Sequence, residues 1–131
     1  MKTHVFRLRR GDDLMKSIEA YCREHAINAG VILSGVGCVS EAKVRDASGV
    51  SIQSISEHME IVSLTGTVSA SRCHLHIAFS KENLSTIGGH LVEGCTINTT
   101  CELAILELDD MTFGKVFDPL TGYYELNIET K

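Results

Sequence analysis

Two histidines separated by a single residue, His74 and His76, sit in the apolar run Cys73-His74-Leu75-His76-Ile77-Ala78-Phe79, whose composition predicts a β-strand. Strand side chains alternate between faces, so both imidazoles project from one face, about 6–7 Å apart at a rise of ~3.3 Å per residue. At that spacing they can converge on a single cation. A third ligand is then required. His90 in Gly88-Gly89-His90-Leu91 is the candidate, because paired glycines let the backbone turn sharply and approach another element closely. Three histidine nitrogens at about 2.0–2.1 Å would hold a divalent ion, zinc above others, and leave one tetrahedral position open for water or a small anion. The competing reading makes His74 and His76 half-exposed polar positions and His90 the cap of a turn.

An open metal position can lower the pKa of bound water toward ~7, so carboxylates able to act as its base come next. Glu57, Glu60, Glu93 and Glu102 lie closest in sequence to the histidines or to neighbouring β-type runs. Glu93, three residues past His90, leads as a catalytic candidate, against the bland reading of a solvated acid before Gly94. Glu102 lies between apolar Cys101 and Leu103, where a carboxylate must face water or find a partner, and it could support a ligand histidine by accepting its other N–H. Cys95 is a candidate fourth ligand that would close the site into a structural pattern. Cys73 makes no nucleophile and base pair with His74, since adjacent strand residues point oppositely. His4 and His25 fall in a strand and at a helix end, positions where histidine is favoured by the helix dipole or simply solvated.

The elements that would position these groups follow from periodicity. His4 to Arg9 alternates, with His4, Phe6 and Leu8 on one face, which predicts a first strand. Gly11-Asp12-Asp13 supplies a helix start, and Leu14, Ile18, Tyr21, Cys22 and His25 follow as one apolar stripe. Ala29 to Val39 predicts a buried strand, and its Gly35-Val36-Gly37 lacks the third glycine and following helix of a phosphate loop. Further β-type runs are Ala42 to Ala47, Met59 to Ser69, Arg72 to Ser80, Thr96 to Leu108 and Tyr123 to Ile128. A short helix fits Lys81 to Thr86, and Asp118-Pro119-Leu120-Thr121-Gly122 reads as a turn. The expected class is α+β, a mixed, mostly antiparallel sheet flanked by helices in a single domain over residues 1–131.

Composition narrows the partners. Seventeen acidic against twelve basic residues give a net charge of −5, which disfavours nucleic acid, because affinity for phosphates comes mainly from Lys and Arg. The one basic cluster, Lys2, Arg7, Arg9 and Arg10, fits a solvated strand face. Tyr123 and Tyr124 are adjacent and cannot form one stacking surface in a strand. Five cysteines, an odd number without CxxC, argue against a disulfide framework. Met1 to Arg10 carries no continuous apolar stretch, so neither signal peptide nor membrane span is expected there, and a cytoplasmic location follows.

The stretch from Leu64-Thr65-Gly66-Thr67 through His74-Leu75-His76 and Gly88-Gly89-His90-Leu91-Val92-Glu93-Gly94-Cys95 to Thr99-Thr100-Cys101-Glu102 resembles the plants and prokaryotes conserved domain, called PPC or PCC. The Gly-Asp-Asp-Leu helix start, Ser34-Gly35-Val36-Gly37 and Phe117-Asp118-Pro119 extend the likeness over nearly the whole chain. The resemblance implies an antiparallel sheet flanked by helices, a homotrimer, and zinc on the histidines matching His74, His76 and His90. It also brings a DNA-binding label from plant members with basic AT-hook arms, and no Arg-Gly-Arg-Pro arm stands in this chain. Where prokaryotic members tend to have Asp-Gly between the second and third ligands, this chain has Asn83-Leu84. The favoured function is a trimeric ligand-binding or regulatory module. The alternatives are DNA binding and zinc-dependent hydrolase or lyase-type chemistry on a small molecule.

Overall fold

A computed structural model describes residues 1–131. The element order is β1 (Lys2–Arg9), α1 (Leu14–Glu24), β2 (Gly30–Arg45), β3 (Ile52–Ile55), β4 (Met59–Val68), β5 (Cys73–Ser80), β6 (Thr86–Leu91), β7 (Thr96–Glu107), β8 (Met111–Asp118) and β9 (Tyr123–Thr130). Every strand pairing is antiparallel. The main sheet runs β1-β7-β2-β4-β5-β6, with β3 beside β2. β6 also pairs with the end of β2, through Val44↔Leu91 and Arg45↔His90, so β2, β4, β5 and β6 close a ring.

The ring closes because β2 is long enough to serve several partners. Its first part lies between β4 and β7, and its last residues reach beyond β7 to β6. Register shifts at Ile32/Ser34, Gly37/Val39 and Val39/Glu41 bend it, as bulges do. The runs Ala29 to Val39 and Ala42 to Ala47 are therefore one bent strand, and it is only partly buried, with Leu33 and Val36 exposed.

The class is α+β but largely β, with one helix in place of flanking helices. Asp13 caps α1: one carboxylate oxygen accepts from Lys16 N–H at 3.0 Å, the other from Gly94 N–H at 2.7 Å, which ties the helix start to the loop before β7. Leu14, Met15, Ile18 and Cys22 of α1 join the buried cluster with Leu75, Ile77 and Phe79 of β5, Leu91 of β6 and Ile97, Leu103 and Ile105 of β7.

Lys81 to Thr86 holds no helix. It is the β5–β6 connection, where Lys81 and Ser85 share a backbone hydrogen bond and the Asn83 carboxamide oxygen accepts from Ser85 N–H at 3.0 Å. Leu84 takes φ 71°, the left-handed conformation that a leucine disfavours, so the turn forms despite lacking glycine. β8 and β9 form a separate hairpin, joined by the Asp118–Gly122 turn and anchored by Phe113 N–H donating to the Asn28 carbonyl at 2.8 Å. No helix is long and apolar enough to cross a membrane.

Candidate metal centre

β5 alternates as its sequence predicts: Leu75, Ile77 and Phe79 enter the core, which turns His74 and His76 to the other face. His90 arrives from β6, directly opposite His76 in the β5–β6 register. The glycines before it act through close approach within a strand rather than through a turn. A Cβ on Gly88 would stand 2.2 Å from the Ile77 carbonyl oxygen, and one on Gly89 would stand 2.7 Å from that of Arg45. Lacking side chains at both positions, β6 fits between β5 and the end of β2, and His90 is brought beside His76 and Arg45.

The ligand nitrogens of His74, His76 and His90 lie within 4.8 Å of one another, and the ring centroids are 5.1–5.5 Å apart. A tetrahedral zinc ion with Zn–N near 2.0–2.1 Å spaces its ligands about 3.3 Å apart. The nitrogens would have to close by up to about 1.5 Å, and three imidazoles converging on one face are a donor set that fits such an ion. His74 and His90 are half-buried and His76 is exposed, which keeps one side accessible.

For His74 and His90 the surroundings favour the neutral imidazole a metal needs. Burial, then Arg45, lowers His90 to about 4. Burial, then Arg72, also lowers His74, while Glu125 opposes that shift. Arg72 Nη2 lies 3.4 Å from His74 Nδ1. Arg45 and the three histidines border a cavity of about 570 Å³, and Arg45, Arg72, Tyr123, Tyr124 and Glu125 border an adjoining one of about 320 Å³.

The other candidate residues stay outside the histidine cluster. Glu93 is exposed, with Lys16 Nζ 3.8 Å away, and Glu102 is exposed on β7 between Arg7 of β1 and Val36 of β2. Glu57 faces Lys81 Nζ at 3.6 Å, and Glu60 is exposed on β4 opposite Ser80. Cys95 is buried, its sulfur accepting from Lys43 N–H and its thiol donating to the Lys43 carbonyl, both at 3.4 Å, and burial pushes it up to about 11. The Cys73 thiol points away from His74 and donates to the Ser69 carbonyl at 3.6 Å.

His4 is not solvated. It is buried, with Nε2 2.7 Å from Glu107 and Nδ1 3.0 Å from the Tyr21 hydroxyl, and the Tyr21 ring stacks on both Phe6 and His25. Sequence reasoning missed Arg45, Arg72 and Glu125 beside the histidine cluster. Arg72 precedes His74 by two residues, a same-face spacing that could have pointed to it. Arg45 and Glu125 come from distant strands and left no local signal.

This arrangement, a bent antiparallel sheet closed through β6 with three histidines on its outer face, defines a class of small β-rich domain. The profile of the Plants and Prokaryotes Conserved (PCC) domain matches residues 1–109, and the chain belongs to that family. A hypothetical protein from Salmonella is 31% identical with TM-score 0.97, covering 99% of this chain and 94% of that one. A metal-containing protein from Archaeoglobus fulgidus is 30% identical with TM-score 0.81, covering 97% of this chain and 94% of that one. A Bacteroides thetaiotaomicron protein whose name proposes DNA binding shares the fold at 23% identity and TM-score 0.85, covering 95% of this chain and 91% of that one. The bifunctional protein GlmU of Synechococcus sp. (strain JA-3-3Ab) is 37% identical over 129 residues, covering 98% of this chain. The chain spans about a fifth (21%) of the length of that curated relative.

Proposed function

We propose that this chain is a zinc-binding PCC domain that works as a homotrimeric ligand-binding or regulatory module, with His74, His76 and His90 as the protein ligands. The observation that carries the reading is the convergence of three imidazole nitrogens within 4.8 Å, from two strands held together by Gly88 and Gly89. The metal-containing Archaeoglobus relative supports it. Bound there, the ion supplies a Lewis-acidic position for an oxygen donor. The chain's own part is to hold His74 and His90 where their charged forms are disfavoured and to keep an exposed approach beside His76.

Trimer formation is supported by apolar side chains left exposed on the main sheet, Val5 of β1, Leu33 and Val36 of β2 and Val62 of β4. Light scattering should give three chains per particle, and a monomer would overturn that part. The zinc is tested by X-ray absorption at the metal edge on protein purified without added metal. A zinc edge with nitrogen ligands near 2.0 Å is expected, and a metal-free protein would refute the reading.

DNA binding is the second reading, supported by the name of the Bacteroides neighbour and opposed by the net charge of −5. A gel shift with AT-rich duplex at physiological salt should give no specific complex; tight selective binding would reverse this ranking. Zinc-dependent chemistry has less support, since Glu93 and Glu102 lie outside the histidine cluster and Asp46 at the cavity wall is bonded to Ser48 and Gln53.

A further inference from the structure

The surroundings of the histidines carry a charge imbalance that metal binding deepens. Arg45 and Arg72 border the adjoining cavities, yet neither guanidinium lies within 4 Å of a carboxylate, in a chain with an excess of acids. The two carboxylates nearby do not neutralise them. Asp46 is held by the backbone and hydroxyl of Ser48 and by Gln53, and Glu125 faces the site from β9 without closing an ion pair. The Arg72 guanidinium makes one long polar contact, 3.4 Å to His74. The Arg45 Nε is buried and has no hydrogen-bond partner in the protein. A buried donor of a charged group left without an acceptor is costly and uncommon in native folds. Arg45 and a divalent ion would leave positive potential over the cavity of about 570 Å³, a volume suited to a small molecule, and Arg72 adds to it from the adjoining cavity that shares Arg45, His74 and His90.

We propose that Arg45, seconded by Arg72, receives the oxyanion group of a small carboxylate- or phosphate-bearing molecule that fills this cavity and reaches the open metal position. The inference rests on the metal reading and deepens it by naming the ligand class and the residue that recognises it. The register supplies the geometry: Arg45 stands opposite His90 across the β2–β6 seam, and His90 stands opposite His76 across β5–β6, so one anion spans the seam beside the metal ligands. The planar fork of arginine suits either oxyanion, through paired N–H donors.

The test is calorimetric titration of the zinc-loaded full chain with inorganic phosphate and, separately, with succinate. Saturable binding of at least one is expected, and which one binds identifies the oxyanion. Arg45→Gln should weaken that binding about tenfold to a hundredfold, and Arg45→Lys less, with zinc content unchanged in both. Because Arg45 lies in the seam that closes the ring, Arg72→Gln, placed just before β5, is the second probe and should weaken binding in the same direction. Absence of saturable binding of either anion at millimolar concentration, or wild-type affinity in both glutamine variants, would overturn the proposal. Zinc retained without anion binding sinks this inference alone. Arg45-dependent anion binding in a protein that takes up no zinc upholds the arginine site and sinks the metal reading.

Discussion

Replacing Gly88 with alanine tests the argument that β6 is held in place by close backbone approach. The added Cβ would stand 2.2 Å from the Ile77 carbonyl oxygen and 2.9 Å from Ala78 Cα, where ordinary contact begins at 3.4 Å. Both obstructing atoms are backbone, so relief requires β6 to move from β5 by more than an ångström. That displacement stretches hydrogen bonds between strands beyond about 3.2 Å and shifts His90, two residues on. Overpacking of this kind costs about 2–3 kcal/mol, which lowers the melting temperature of a domain this size by roughly 6–15 °C. Gly114→Ala is the control, because nothing lies within 4 Å of a Cβ there. It should be neutral or stabilise by up to about 1 kcal/mol. Thermal melts at one fixed protein concentration, with zinc content measured in parallel, read both effects. If Gly88→Ala melts within a few degrees of wild type and keeps its zinc, the close-approach argument is wrong.

Other positions give independent tests. Leu84 is 81% exposed and holds φ 71°, so Leu84→Gly should relieve strain and raise stability by about 0.5 kcal/mol in urea denaturation, whereas a loss would contradict the strain argument. His4→Leu leaves Glu107 and Tyr21 without their shared partner and should cost about 1–3 kcal/mol; an unchanged unfolding midpoint would show that network to be idle. Burial holds the Cys95 and Cys101 thiols up at about 11, above the ~8.5 of an unfolded cysteine. The unfolded chain therefore releases those protons first. Their contribution to stability is fully present below about pH 8.5 and is lost as pH rises through about 11, with a shallower decline in Cys101→Ala, and equal slopes would count against burial as the cause.

What was legible in the sequence follows the range of the interactions. The alternation of β5 placed His74 and His76 correctly on one face, and the Gly-Asp-Asp start of α1 was readable because capping is local. Gly88 and Gly89 were rightly singled out for close approach, but they lie inside β6 rather than at a turn, since a six-residue strand with two glycines has almost no β signal. The left-handed turn at Leu84 was visible only against the Asp-Gly that prokaryotic relatives tend to have there, because leucine itself does not prefer that conformation. β2 looked like two strands because its bulges break the period of two. Arg45 reaches the histidines only through the β2–β6 register, a pairing across 45 residues that no local pattern encodes.

Metal analysis of wild-type protein and the His76→Ala variant, both purified without added metal, tests the central claim most directly. About one zinc per chain in the wild type and none in the variant is the predicted result, since two remaining imidazoles cannot hold the ion against dilution. Full zinc occupancy in the variant, or none in the wild type, would contradict the assignment of His74, His76 and His90.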